Sequence, residues 1–159
     1  MADYDIFNGD ADGICALLQL RLAEPRNAKL VTGVKRDINL LKQVTAKSGD
    51  RITVLDISME KNSEALLAAL SADAEVQYFD HHFAGDIPES DRLSAHIDPQ
   101  AETCTGLIVN EYLNGAHLRW AITAAYGDNL HQSAKAAAAP LNLDDAELCL
   151  LYTSDAADE

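Results

Sequence analysis

The stretch Asp3 to Cys15, DYDIFNGDADGIC, limits the fold more than any other part of the chain. A short apolar run at Tyr4, Ile6 and Phe7 meets a polar turn, Asn8-Gly9-Asp10-Ala11-Asp12-Gly13, and a helical period then begins at Ile14, Leu17, Leu18 and Leu22. This reads as a strand, a tight acidic turn and a helix, the opening unit of an α/β sheet. Ligands of open α/β sheets gather outside the carboxyl ends of the strands. Asp10 and Asp12, two positions apart, can send two carboxylates into that mouth, and hard oxygen ligands suit a divalent cation. The plainer alternative has Asp12 capping the helix and Asn8-Gly9 merely turning the chain.

The same device recurs downstream. Asp56 ends the apolar run Ile52 to Leu55, Asp80-His81-His82 ends Val76 to Phe79, and Asp128 follows the small-residue segment Ala121 to Gly127. Between these points, Leu30 to Val34 reads as a second strand, and Ile38, Leu41 and Val44 mark a short amphipathic helix. Arg51 to Asp56 is a third strand, Met59 to Ser71 a helix whose Leu66, Leu67 and Leu70 fit the 3.6-residue period, and Glu75 to Phe79 a fourth strand. Phe83 to Arg92, polar and carrying Gly85 and Pro88, is loop; Leu93 to Ile97 is a fifth strand ending at Asp98-Pro99. Thr105 to Leu113, with Thr105 as its cap, Leu118 to Tyr126 and Leu130 to Ala138 are helical, and Trp120 is assigned to the core. The predicted fold class is α/β: a parallel, doubly wound sheet of about five strands flanked by helices, with a helical C-terminal part.

At 159 residues, 48% of them hydrophobic, the chain is one domain's worth and can bury a core. No apolar run approaches the roughly 18 residues that a membrane helix needs, and MADYDIF has neither the basic nor the apolar region of a signal peptide. A cytoplasmic protein without membrane contact is the expectation. Cys15, Cys104 and Cys149 are widely spaced and without a CxxC, which suits reduced thiols rather than a disulfide frame or a zinc site. The formal charge of −14 repels long phosphate polymers, so small anionic substrates are favoured over duplex DNA.

With its literal Asp-His-His and four acidic motifs in order over Asp3 to Leu130, the sequence resembles the DHH phosphoesterase superfamily, with NGDADG and AAYGDN leaning toward its RecJ-like branch. The resemblance implies hydrolysis of phosphodiester or phosphoanhydride bonds in a small phosphorylated or nucleotide substrate, or in short single-stranded nucleic acid. It implies one or two Mn2+ ions, with Mg2+ the alternative; two ions about 3.5–4 Å apart activate water and clamp phosphoryl oxygens. Carried over, Asp10 binds the first metal and Asp56 bridges; Asp12, His81 and Asp128 hold the second. His82 faces the substrate phosphate with Asn8 as a further substrate contact, and Asp80 orients an imidazole. Many relatives carry a His where this chain has Ile6, and RecJ-type members an Asp where it has Asn8. The first metal site is thus short of a ligand unless Asn8 or water completes it, and weaker occupancy is expected there.

Two other functions fit parts of the pattern. A haloacid-dehalogenase-type phosphatase also places a DxD after its first strand, with Asp10 as nucleophile and Asp12 as acid, but it wants Thr or Val soon after the second Asp, where this chain has Gly13-Ile14. A non-catalytic nucleotide- or metal-binding module is the other. The last residues, Cys149 to Glu159, read as one translated frame of a sequencing-library adapter. The expected organisation is a DHH-type catalytic domain over 1–148, an adapter-derived tail over 149–159, and a substrate-binding domain belonging to a longer parent, without which the fragment is expected to be inactive. No oligomeric state follows from the sequence.

Overall fold

A computed structural model describes residues 1–34 and 36–153. Five strands, β1 (Asp3–Asn8), β2 (Lys29–Gly33), β3 (Arg51–Leu55), β4 (Glu75–Asp80) and β5 (Leu93–Ile97), form one sheet in the order β2-β1-β3-β4-β5. Every pairing is parallel. Six α-helices are present among the described residues: α1 (Ala11–Ala23), α2 (Met59–Ser71), α3 (Thr105–Tyr112), α4 (Leu118–Gly127), α5 (His131–Ala138) and α6 (Asp145–Thr153). The chain leaves β1 to one side for β2 and returns to the other side for β3. The sheet therefore has its topological switch point between β1 and β3, where a crevice opens at the strands' carboxyl ends.

Alternation along each central strand feeds two cores. Ile6, Ile52, Val54, Val76 and Tyr78 point to the face covered by α2 and by Leu40 and Leu41. Phe7, Leu55 and Phe79 point to the opposite face and meet Ala16, Leu17 and Leu20 of α1 and Val109 of α3. Truncating the fully buried Phe79 to Ala would cost about 3–5 kcal/mol. A third cluster, including Cys15, Ile122, Ala125 and Ala134, binds α1 to α4 and α5. Arg21 of α1 ties to β1 through two hydrogen bonds to the Asp5 carboxylate at 2.6 and 2.7 Å, with Thr53 Oγ1 accepting a third. Among the described residues, the free thiols of Cys15 and Cys104 are buried.

Local patterning differs from the structure where packing sets the phase. α1 turns Asp12, Cys15, Ala16, Gln19 and Leu20 inward and leaves Ile14 and Leu22 exposed, because α3 and α4 cover that polar-bearing stripe. In α2, Leu66 is buried but Leu67 is exposed. The helix expected around Ile38 and Val44 is one 3-10 turn, Leu40–Gln43, that buries Leu40 and Leu41 in the core, with Val44 packed against it. Trp120 is 41% exposed and not core. Helix α6, which no sequence period marks, occupies part of the expected adapter tail; residues 154–159 of that tail lie outside the described residues. No helix among the described residues is long and apolar enough to cross a membrane.

Candidate metal centre

The acidic turn after β1 is built on close backbone approach. Gly9 N donates to Gly33 O of β2 at 3.1 Å, and a Cβ on Gly9 would fall 2.4 Å from that oxygen. A Cβ on Gly13 would meet Asn8 O at 2.3 Å. Asp10, not Asp12, caps α1: its Oδ1 accepts from Gly13 N at 3.2 Å. That frees Asp12, in the first turn and 1% exposed, for a long-range task. Its Oδ2 accepts from Thr105 N at 2.9 Å and its Oδ1 from Gly106 N at 2.7 Å. The first N–H groups of α3 have no partner within their own helix, so the carboxylate of α1 satisfies them. Cys104 precedes them without a side-chain cap, and Thr105, expected as a cap, is the first residue of the helix.

Asp56 sits just past β3 in the left-handed region, φ 58°, its N–H bonded to Phe79 O at 3.0 Å. Aspartate is among the few residues that tolerate this backbone. Its side chain is buried, accepts from Thr105 Oγ1 at 3.2 Å and shares a hydrogen bond with Asp10. Burial, then repulsion from Asp12 and Asp10, pushes the Asp56 carboxyl up to about 10. Burial likewise raises Asp12 to about 6, although the Gly106 and Thr105 N–H groups and His81 pull the other way.

β4 delivers the two imidazoles to opposite jobs. His82 Nδ1 lies 2.6 Å from Oδ1 of the wholly buried Asp80. That bond raises the pKa of His82 above the usual histidine value. His81 Nε2 lies 3.3 Å from Asp56 Oδ1, 3.6 Å from Asp128 Oδ2 and 3.9 Å from Asp12 Oδ2. Asp128 arrives as the residue closing α4. Donor atoms of Asp12, His81 and Asp128 lie within 4.8 Å of one another, as do those of Asp56, His81 and His82, so either trio could hold a metal ion.

Asp56, His81, His82 and Asp128 face a cleft of about 440 Å³ at the switch point, which Asn8 and Asp10 also line. Asn8 Oδ1 is buried there with no hydrogen-bond partner, as is Asp80 Oδ2. Lys61, which lines the cleft, is 3.1 Å from Glu60. Crowded carboxylates held above their ordinary pKa, an imidazole among them and an orphaned amide oxygen form a donor set that fits a hard divalent cation. A larger cleft, about 540 Å³, lies at the amino ends of β3 to β5 and carries Arg26, Arg51 and Arg92. Each arginine there already faces an acid, Glu24, Asp3 and Asp73 respectively.

Contributors to the metal-centre cleft and its frame that the sequence did not mark as site residues include Thr105 and Gly106, whose N–H groups hold Asp12, and Ile38 and Phe83, which line the walls. The small pair Thr105-Gly106 at a helix start was the available signal for the first two; nothing local marked the others.

Solved structures share this fold, two of them of RecJ. One, exonuclease RecJ bound to manganese, aligns with a TM-score of 0.50 and 19% identity over 86% of this chain and 41% of that one. The other, RecJ from Thermus thermophilus in complex with Mn2+, aligns with a TM-score of 0.52 and 19% identity over 96% and 26%. The chain thus spans less than half the length of either RecJ protein. No family model and no curated protein matches the sequence. Over the aligned part, the likeness is one of fold.

Proposed function

We propose that this DHH-like domain serves a metal-dependent phosphoesterase that cleaves phosphodiester or phosphoanhydride bonds in a nucleotide or a short single-stranded nucleic acid. The observation that carries this reading is the position of His81 Nε2, within 3.3–3.9 Å of carboxylates from three other segments, Asp12, Asp56 and Asp128. On this reading Asp12, His81 and Asp128 would hold one ion, and Asp56, Asp10 and Asn8 would supply donors for a second. Mn2+ is the preferred ion, with Mg2+ the alternative. Bound there, a divalent cation supplies Lewis acidity, offsetting phosphoryl charge and acidifying water.

The chain's own groups do the rest. Asp80 fixes the His82 ring and favours its protonated form, which suits it to donate a hydrogen bond or proton to a phosphoryl or leaving oxygen. The N–H groups of Thr105 and Gly106 keep Asp12 oriented. The net charge of −14 disfavours a long polyanion, which supports a short substrate. Buried reduced thiols suit the cytoplasm.

The test is calorimetric titration with Mn2+ together with hydrolysis of an end-labelled dinucleotide. Mn2+ binding lost in His81→Ala, and Mn2+-dependent cleavage lost in Asp56→Asn, are the expected results. Tight Mn2+ binding without turnover in the full-length protein, at saturating Mn2+, would select the binding module instead. A phosphorylated Asp10 recovered from acid-quenched reactions would select the covalent phosphatase.

A further inference from the structure

The backbone is pinned on both sides of Phe83. His82 is tied to Asp80 at 2.6 Å, and Ala84 packs against the core cluster that includes Ile57 and Met59. Gly85, at φ 68°, lies so near α2 that a Cβ would stand 3.3 Å from Glu60 Cγ. Phe83 itself is 69% exposed and lines the same cleft as Asp10, Asp56, His81 and His82. Ile38, 45% exposed, lines that cleft from the β2–β3 connection.

An aromatic ring on a fixed backbone, kept in water one residue from His82, is a preorganised flat apolar surface inside an otherwise charged crevice. Pyrophosphate and polyphosphate present nothing that such a surface could bind. A nucleotide presents both halves of the match, a phosphate for the cation cluster and a π-face for the ring. We propose that Phe83 is the stacking platform for the nucleobase attached to the phosphate that the metal centre engages, with Ile38 as a second apolar wall. The inference rests on the phosphoesterase reading and narrows its substrates to nucleotides, against base-free phosphoanhydrides. Stacking reads the face of a base and not its hydrogen-bonding edge, so the site prefers a base over none and discriminates little among bases.

The test is calorimetry in Mn2+ with AMP and with ribose 5-phosphate, which lacks the base, on wild type, Phe83→Ala and Phe83→Trp. Wild type should bind AMP roughly tenfold or more tightly than ribose 5-phosphate. Phe83→Ala should drop AMP to the ribose 5-phosphate level, and Phe83→Trp should keep the preference. Phe83 is exposed, so neither variant threatens the fold. Equal affinity of wild type for the two phosphates, or a preference for AMP that survives Phe83→Ala, overturns the stacking role while leaving the metal centre standing. If Mn2+ binds but neither phosphate follows, the phosphoesterase reading itself falls and takes this inference with it.

Discussion

His82 Nδ1 lies 2.6 Å from Asp80 Oδ1, a half-exposed imidazole on a carboxylate that has no exposed surface. The bond holds the ring at the mouth of the cleft and raises its proton affinity. A histidine whose folded pKa exceeds its unfolded value contributes stability that is full below the unfolded value and fades as pH rises through the folded one. Asp80→Asn should therefore lower the His82 pKa toward its ordinary value, read from its ring proton shifts by NMR. It should cost about 1 kcal/mol near pH 6, a figure kept small because the ring is half exposed, and less near pH 9. An unmoved His82 titration would refute the assignment.

Asp12, at about 6, and Asp56, at about 10, both stand above the ordinary aspartate value. Acids with raised folded pKa values favour the fold while protonated, so the metal-free protein should lose stability as pH climbs above about 4. The Asp12 contribution to that loss is complete soon above pH 6, and the Asp56 contribution continues toward pH 10. A cation needs these groups deprotonated, so Mn2+ should bind more tightly at pH 8 than at pH 6 and release protons as it binds. Calorimetry in buffers of different ionisation enthalpy measures that release, and a proton count of zero would contradict the linkage. Chelation should lower Tm more at pH 8 than at pH 6.

Two isosteric replacements should move stability in opposite directions. Asp56 faces Asp10 and Asp12, and the Thr105 hydroxyl can donate equally well to an amide oxygen. Asp56→Asn should stabilise the metal-free protein by about 1–2 kcal/mol while weakening Mn2+ binding, the usual exchange between stability and function. Asp12 accepts two backbone N–H groups, from Thr105 and Gly106. An Asn there has one acceptor oxygen and sets an NH2 against the other donor, so Asp12→Asn should cost about 1–3 kcal/mol. Chemical denaturation with EDTA present separates the two, and equal signs would show that charge crowding is not what dominates at Asp56.

Gly106 stands where α3 crosses α1 and α4. A Cβ there would fall 2.3 Å from Ala124 Cβ and 3.1 Å from Asp12 Oδ1. Gly106→Ala should destabilise the protein by about 1–3 kcal/mol through overpacking and displace Asp12, lowering Mn2+ affinity as well. The double variant with Ala124→Gly removes the clash and should recover much of the stability, which denaturation curves would report.

The amino-acid sequence by itself determined the order of the five strands and of helices α1 to α5, the full span of α2 and β5, and the set of acids and imidazoles at the strand ends. These depend on local period and on turn chemistry, which a few neighbouring residues encode. Tertiary structure decided the rest. Which stripe of α1 is buried followed from α3 and α4 packing on it, so Ile14 faces water and Gln19 does not. Asp10 became the cap and Asp12 the tie to α3, through hydrogen bonds to N–H groups 93 and 94 residues away. Phe83 was left exposed because its neighbours on both sides are anchored. Such contacts join segments that share no local pattern, and only the folded chain, in which the hydrogen-bond donors of one helix must find acceptors on another, fixes which residues meet.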